Sequence, residues 1–481
     1  MANSAGPETG TPEGNSPFHL PGPRARHAVV IGGSIAGLLA ARALGAHADR
    51  VTIVERDRFP EGPEPRPGVP QSRHTHVLLE GGQRALESLL PGILSELHEH
   101  GAPRLGMPND LVQWQASRFY RRTSPTAHIL TGSRPVLEWL VRRRVLAEPG
   151  ITALEGKEVV GLLGDSARVR GVLLRERGTL TRRTARPLDA DLVVDASGRG
   201  SRAPGWLAGI GAEPPREETL DTGLAYATRV YRAGEDTEGP DCLGYYFMAG
   251  RDHVYGGVAL PIEGGRHLVT LSGLRGSEPP SDEAAFTDFA ARLPHPVLHE
   301  WLLRAKPESP VHAFRSTANV RRRYDRPGRR PAGFLATGDA LCAFNPVYGQ
   351  GMAVAALSAL ALRDALAARR RTPTTRRLQR SLLKASQQAW DIASGADREL
   401  PGATGDAART RAVDRPAAWY LARVQDRAPG NPVVGAAFRA AFSLTAPVSV
   451  LFTPRVMGAV LFGTVRPAPA EPPMRPERAT G

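Results

Sequence analysis

The sequence predicts an α/β fold: a Rossmann-like domain, interrupted by an inserted antiparallel-sheet domain and followed by C-terminal helices. Three observations point there. A strand–turn–helix–strand unit of about thirty residues begins at His27. Near residue 221 the pattern changes to longer, half-alternating strands. Near 333 it returns to a short apolar strand and then an Ala/Leu-rich helix. With 481 residues the chain is too long for one small core, so two lobes on one polypeptide are expected.

Residues 1–23 are rich in Gly, Pro, Ser and Glu without an apolar run, which predicts a disordered leader and not a secretory signal. His27-Ala-Val-Val-Ile31 is a buried strand, Gly32 to Gly37 a turn, and Leu38 to Leu44 the start of a helix. Val51-Thr-Ile-Val54 is the second strand, closed by Glu55, and Pro60 to Pro70 is too proline-rich to be regular. Arg134 to Ala147 reads as a helix with Leu137, Leu140 and Val141 on one face, and Ala190 to Asp195 as another strand. Gly223–Tyr231, Val254–Leu260 and His267–Leu271 make the antiparallel sheet, and Gly333–Thr337 restores the parallel type. The Rossmann-like domain is therefore placed at 24–205 and 326–375, with segments around 101–130 given to the second domain. That second domain spans 206–325, a helical region 376–466, and a flexible tail 467–481.

The 62 basic and 48 acidic residues leave a net charge of +14. Only Lys157, Lys306 and Lys384 are lysines, and the arginines are scattered, with short runs at 142–144, 321–323 and 369–371. Charge must be localised to recruit nucleic acid, so none is expected as a partner. Cys242 and Cys342 form no CxxC pair, which argues against structural zinc, any other metal site and a disulfide framework. A cytoplasmic protein follows. Ala440 to Pro454 carries no charge but is short and broken by Pro447, so core packing is favoured over membrane contact.

Gly32-Gly-Ser-Ile-Ala-Gly37 lies between strand and helix, with Glu55 eighteen residues after its last glycine. Glycine lets the backbone approach a pyrophosphate at the helix N-terminus, and an acid ending the second strand can accept ribose hydroxyls. Ser34 stands where the usual pattern has its second glycine. The other motif runs from Phe334 to Met352. Asp339, after a strand and Gly338, suits a ribitol or ribose hydroxyl, and Gly349 and Gly351 open a helix whose N–H groups favour negative charge.

Together with these motifs, five segments resemble the class A flavoprotein monooxygenases of the para-hydroxybenzoate hydroxylase fold. They are Arg66-Pro-Gly-Val-Pro-Gln-Ser-Arg-His-Thr-His76, Asp195-Ala-Ser-Gly-Arg-Gly-Ser-Arg202, Ala225-Tyr-Ala-Thr-Arg229, Pro261-Ile-Glu-Gly-Gly-Arg266 and Ala343-Phe-Asn-Pro-Val-Tyr-Gly349. Within that family the sequence is most similar to the flavin epoxidases of polyether-antibiotic biosynthesis, of the monensin and lasalocid type, and distantly to squalene epoxidase. The resemblance implies a non-covalent FAD. Its ADP half would be held by Gly32, Gly33, Ser34, Gly37, Glu55 and Arg56, and its phosphate or ribityl region by Arg134, Gly338 and Asp339. Asp195 and Gly198 belong to the implied FAD strand and turn, while Pro346, Gly349, Gly351 and Met352 would face the isoalloxazine edge. Gln71, His74 and His76 would lie near the flavin; the plainer reading makes the histidines hydrogen-bonded loop residues.

The family also implies O2 as co-substrate, one atom being delivered through a flavin C4a-hydroperoxide to a hydrophobic small molecule. Epoxidation of alkenes in a polyketide or polyene is the first expectation, with hydroxylation of an aromatic or polyketide substrate next and a flavin-dependent reductase or dehydrogenase third. A halogenase is disfavoured, because no lysine precedes Lys157 to carry the halogen and Trp-x-Trp-x-Ile-Pro is absent. The implied electron source is NAD(P)H or a separate flavin reductase; Ser197-Gly198 replaces the family's Asp-Gly pair, so slow direct reduction by NADPH and supply by a reductase are expected.

Overall fold

The computed structural model describes residues 26–178, 185–234, 243–326, 328, 330–368, 373–409 and 415–477. The expected leader, Cys242, the arginine run at 369–371 and the end of the tail lie outside them. Five parallel strands form the central sheet, in the order Phe334–Ala336, Leu192–Asp195, His27–Ile31, Arg50–Glu55, Ile151–Glu155. His27–Ile31 sits in the middle and every one of its residues is buried, as a strand covered on both faces requires. Its register sets Val30 between Val194 and Ile53. Helix Ile35–Gly45 then buries Leu38, Leu39 and Leu44 against this sheet.

The inserted lobe is an eight-stranded sheet built on Ala225–Arg232, Tyr255–Ile262 and Arg266–Gly273, which pair antiparallel. One edge departs from that pattern. Leu111–Gln115 runs parallel to Gly244–Phe247, so a segment from before helix Arg134–Leu146 completes the sheet. Tyr231, Phe286, Leu298 and Trp301 pack beneath it.

Helix Gly351–Ala367 lies against Ile35–Gly45, Glu80–Leu89 and Thr375–Arg398. Gly82 allows the close crossing, since a Cβ there would lie 2.5 Å from the Ala353 Cα. Helices Arg415–Arg427, Pro432–Phe442 and Pro454–Leu461 form a satellite core around Val424, Val434, Leu451 and Val460. The uncharged stretch 440–454 is thus divided: the helix ends at Phe442, Leu444 takes a φ of 59°, and a 3-10 turn spans Val448–Phe452. Leu451 is buried whereas Phe452 is exposed. Among the described residues no helix is long and apolar enough to cross a membrane.

Two charged features tie distant segments together. Arg143 and Arg144 both pair with Glu96, Arg321 and Arg323 with Glu218, and Arg322 with Glu217, so these runs are engaged within the fold. Residues 467–477, expected to be flexible, are instead tied back. The buried Arg122 donates to the Met474 carbonyl at 2.6 Å, and the Glu477 N–H donates to the Arg122 carbonyl at 2.7 Å. A buried guanidinium needs acceptors, and the returning chain supplies them.

The turn after the first strand generates a stability prediction. A Cβ on Gly37 would run into the Gly32 carbonyl oxygen, whereas one on Gly209, ending helix Ala203–Gly209, meets nothing within 4 Å. Gly37→Ala should therefore lower unfolding stability by about 1–3 kcal/mol. Gly209→Ala should be neutral or stabilising by up to about 1 kcal/mol. Urea-unfolding midpoints of both variants against the parent check the contrast.

Candidate active site

Gly32 adopts a φ of +100°, a conformation that strains other residues, and its N–H donates to the Val54 carbonyl at 2.8 Å. This aims the chain at the N-terminus of helix Ile35–Gly45. Ser34 is the N-cap residue, but its side chain caps nothing. The hydroxyl instead donates to Glu138 at 2.7 Å and accepts from Arg134 at 2.8 Å. The first-turn N–H groups are left for an anion.

A buried ionic cluster stands beside this turn. The Arg66 guanidinium reaches Glu55 at 3.0 Å, Asp57 at 3.2 Å and Glu138 at 3.0 Å. Burial alone would raise the Glu138 carboxyl, yet Arg134 and Arg66 hold it below its ordinary value. Glu55 Oε2 accepts the Gly33 N–H at 2.8 Å, and Oε1 accepts the Asp57 N–H at 2.9 Å. Together with Arg66 these take three of the carboxylate's roughly four acceptor positions, leaving one for a ribose hydroxyl.

The Gly-Asp turn comes to the same place from the other end of the chain. Gly338 has a φ of +56°, and a Cβ there would lie 2.6 Å from the Ala36 Cβ, so the turn packs directly on the first helix. Arg322 braces it by donating to the Ala340 carbonyl at 3.0 Å. The half-buried Asp339 carboxylate accepts no hydrogen bond from a described residue; burial raises its pKa against the pull of Arg199, Arg134 and Arg322. The following loop is pinned by Asp397, which accepts from Tyr348 at 2.5 Å, Asn319 at 2.6 Å and Asn345 at 3.1 Å. That network presents Gly349 and the N-terminus of helix Gly351–Ala367, where a Cβ on Gly351 would meet only open space.

These features fit FAD. Among the described residues, an uncapped helix N-terminus, an unengaged Asp339, the buried and unpartnered amide of Gln350 and the open face of Gly351 are groups a flavin dinucleotide would engage. A small cavity brings His76, Arg134 and Met352 together, and the Arg134 Nε there has no partner among the described residues. The adjoining larger cavity, about 120 Å³, is lined by His74, Pro346 and Gly349, by Gln113 and Tyr246 of the inserted sheet, and by Phe438, Arg439 and Phe442. Its walls are mostly apolar, and one strip is not. His74 Nδ1 lies 2.8 Å from Thr228 Oγ1, Thr228 is 2.6 Å from Thr270 Oγ1, and Thr270 is 2.8 Å from Thr75 Oγ1.

Some sequence-nominated residues have other tasks. Asp195 turns inward and is taken up by Ser197 N–H at 3.0 Å, Ser197 Oγ at 2.6 Å and Ser201 Oγ at 2.5 Å. It shapes the turn at Gly198 and does not face the crevice; only Gly198 has open space before it. Arg56 is exposed and donates to the Gly68 carbonyl, and Gln71 lines neither cavity. Arg66, Asp57, Glu138, Arg199, Arg322 and Asp397 were not nominated. Glu138 had a signal, four residues after Arg134 on the same helix face; Asp397 had none.

The family model described as FAD binding domain matches residues 26–396. The chain belongs to that family. It is 34% identical over 435 residues to Protein Rv3254 of Mycobacterium tuberculosis, covering 87% of this chain and 89% of the relative. It is 30% identical over 244 residues to 6-methylpretetramide 4-monooxygenase of Streptomyces rimosus, covering 44% of this chain and 51% of the relative. Among solved structures, p-nitrophenol 4-monooxygenase PnpA of Pseudomonas putida DLL-E4 superposes with a TM-score of 0.57 at 17% identity, over 91% of this chain and 96% of that one. Flavin-dependent halogenases share the fold as well, so the fold alone does not choose a reaction.

Burial pushes His74 down to about 4, with His312 and Arg73 adding to the effect, and pushes His76 down to about 3, with Arg134 adding. In the unfolded chain both titrate near 6.5. The unfolded state then binds more protons between these values, so stability is full above pH 6.5 and falls as pH drops toward 4. Chemical denaturation of cofactor-free protein at stepped pH should show this decline. His74→Asn should remove on the order of 3 kcal/mol of it.

Proposed function

We propose that this protein is an FAD-dependent monooxygenase that hydroxylates an electron-rich ring or enol of an apolar substrate held between the lobes. The hydroxyl chain from His74 through Thr228 and Thr270 to Thr75 carries this reading. An alkene needs no proton removed, whereas a phenol or enol reacts faster once deprotonated. His74, kept neutral by burial, can accept a proton passed along the threonines, and Thr75, Thr270 and the imidazole all line the cavity. The 6-methylpretetramide relative, named as a monooxygenase, supports the choice.

Bound FAD, once reduced, supplies the activated oxygen. The chain's own groups do the rest. The Gly32–Gly37 turn and its helix N-terminus receive the pyrophosphate, Glu55 a ribose hydroxyl and Asp339 a ribityl hydroxyl. The N-terminus of helix Gly351–Ala367 favours negative charge at the ring edge. Apolar walls such as Phe438, Phe442 and Val258 keep water from the reacting centre. Epoxidation of a polyene is the second reading, favoured by the extent of those walls. For the electrons we propose a separate flavin reductase, because Ser197 is turned onto Asp195 and offers no acid at the family's usual position.

Under labelled dioxygen, with a reduced-flavin supply and a hydroxynaphthalene and a linear polyene offered side by side, one labelled oxygen should enter the phenol. A labelled epoxide of the polyene moves the assignment to the second reading. Turnover without label removes the oxygenase. Thr270→Val should lower kcat about a hundredfold without changing FAD content. Asp339→Ala should lower FAD occupancy, read from the flavin absorbance per chain, and the flavin should come away on denaturation as FAD. Stopped-flow reduction by NADPH alone should be slow and should accelerate when a flavin reductase is added.

A further inference from the structure

One wall of the large cavity contains a cation that no carboxylate among the described residues pairs with. Arg439, on helix Pro432–Phe442, is only 7% exposed yet lines the cavity beside Phe438 and Phe442. Its Nε donates to Thr126 Oγ1 at 2.6 Å, and among the described residues no carboxylate forms an ion pair with it. Gly435, one turn earlier, makes room: a Cβ there would lie 3.1 Å from the Arg439 Nη2. Burial pulls the guanidinium down to about 10. Tyr120 lines the same cavity, and its hydroxyl, within electrostatic reach of Arg439, is buried with no hydrogen-bond partner among the described residues. An unpaired buried charge and an unsatisfied hydroxyl are each unfavourable in an apolar enclosure, and an anion in the cavity would satisfy both.

We propose that Arg439, with the Tyr120 hydroxyl, is a specificity-determining pair that binds an anionic oxygen, carboxylate or phenolate, on the apolar substrate. This rests on the monooxygenase reading and narrows its substrate class to ring systems or chains that carry one acidic oxygen. The charge anchors one end of the molecule at helix Pro432–Phe442 while the apolar body extends toward Gly349 and the threonine strip. The pair touches the substrate and takes no part in oxygen transfer.

The test measures binding of naphthoate, naphthol and methylnaphthalene to the full-length, FAD-loaded protein by equilibrium dialysis. The parent should bind naphthoate at least about tenfold more tightly than methylnaphthalene. Naphthol should take on its anion's absorbance when bound, if phenolates are accepted; a neutral spectrum with retained naphthoate preference assigns the site to carboxylates. Arg439→Met should bring the naphthoate preference over methylnaphthalene close to one, whereas Arg439→Lys should keep part of it. Tyr120→Phe should weaken naphthoate alone, which keeps the proposal testable if Arg439→Met fails to fold. A preference that survives Arg439→Met, or a parent that binds the anion no better than methylnaphthalene or binds neither, overturns the proposal. Oxygen labelling is read separately, so loss of this anion site and loss of the oxygenase reading are distinguishable.

Discussion

The contact on which the rest of the site depends is the seat of Gly338 on the first helix, where only the absence of a side chain lets the Gly-Asp turn lie against Ala36. The parallel sheet brings it there. Leu192–Asp195 pairs with His27–Ile31 on one side and with Phe334–Ala336 on the other, so both glycine turns leave the same sheet edge. Ligands of open α/β sheets sit at that carboxyl edge, because there the loops diverge and helix N-termini point at the gap.

Buried charge then fixes what the backbone has assembled. Arg66 joins Glu55 at a strand end, Asp57 in the loop after it and Glu138 on a helix into one cluster beside the first glycine turn. None of these side chains is freely hydrated, so removing Arg66 would leave buried carboxylates short of counter-charge. Asp397 plays the corresponding part on the flavin side by gathering Asn319, Asn345 and Tyr348 around one carboxylate. The two clusters explain why residues remote from any ligand still determine where the ligand-facing glycines lie.

The cavity combines two kinds of wall. Its apolar sides exclude water, while the His74–threonine strip and the Arg439–Tyr120 pair offer polar groups at separate points. A few convergent polar groups in an otherwise apolar enclosure orient a ligand more than they bind it. The fold's likeness to monooxygenases and halogenases alike is consistent with this division: the sheet and its turns hold the cofactor, and the cavity walls choose the substrate.

Local patterns determined much of the fold. The strand His27–Ile31, both glycine turns, Glu55, Asp339 and the three long strands of the inserted sheet are legible because each rests on apolar periodicity or on glycine's conformational range over a few neighbouring residues. Asp195 was legible as the end of a strand but not in its orientation, since the choice between crevice and turn depends on Ser197 and Ser201 closing around it. The antiparallel expectation missed the parallel pairing of Leu111–Gln115 with Gly244–Phe247 for the same reason: pairing is decided between distant segments. Only the tertiary structure placed Arg439 beside Tyr120, Arg66 among three carboxylates, and His74 at the head of a threonine chain. Burial and partner choice are collective, so an arginine that a sequence shows as one of many becomes distinctive only when the folded chain surrounds it with apolar groups and supplies no acid.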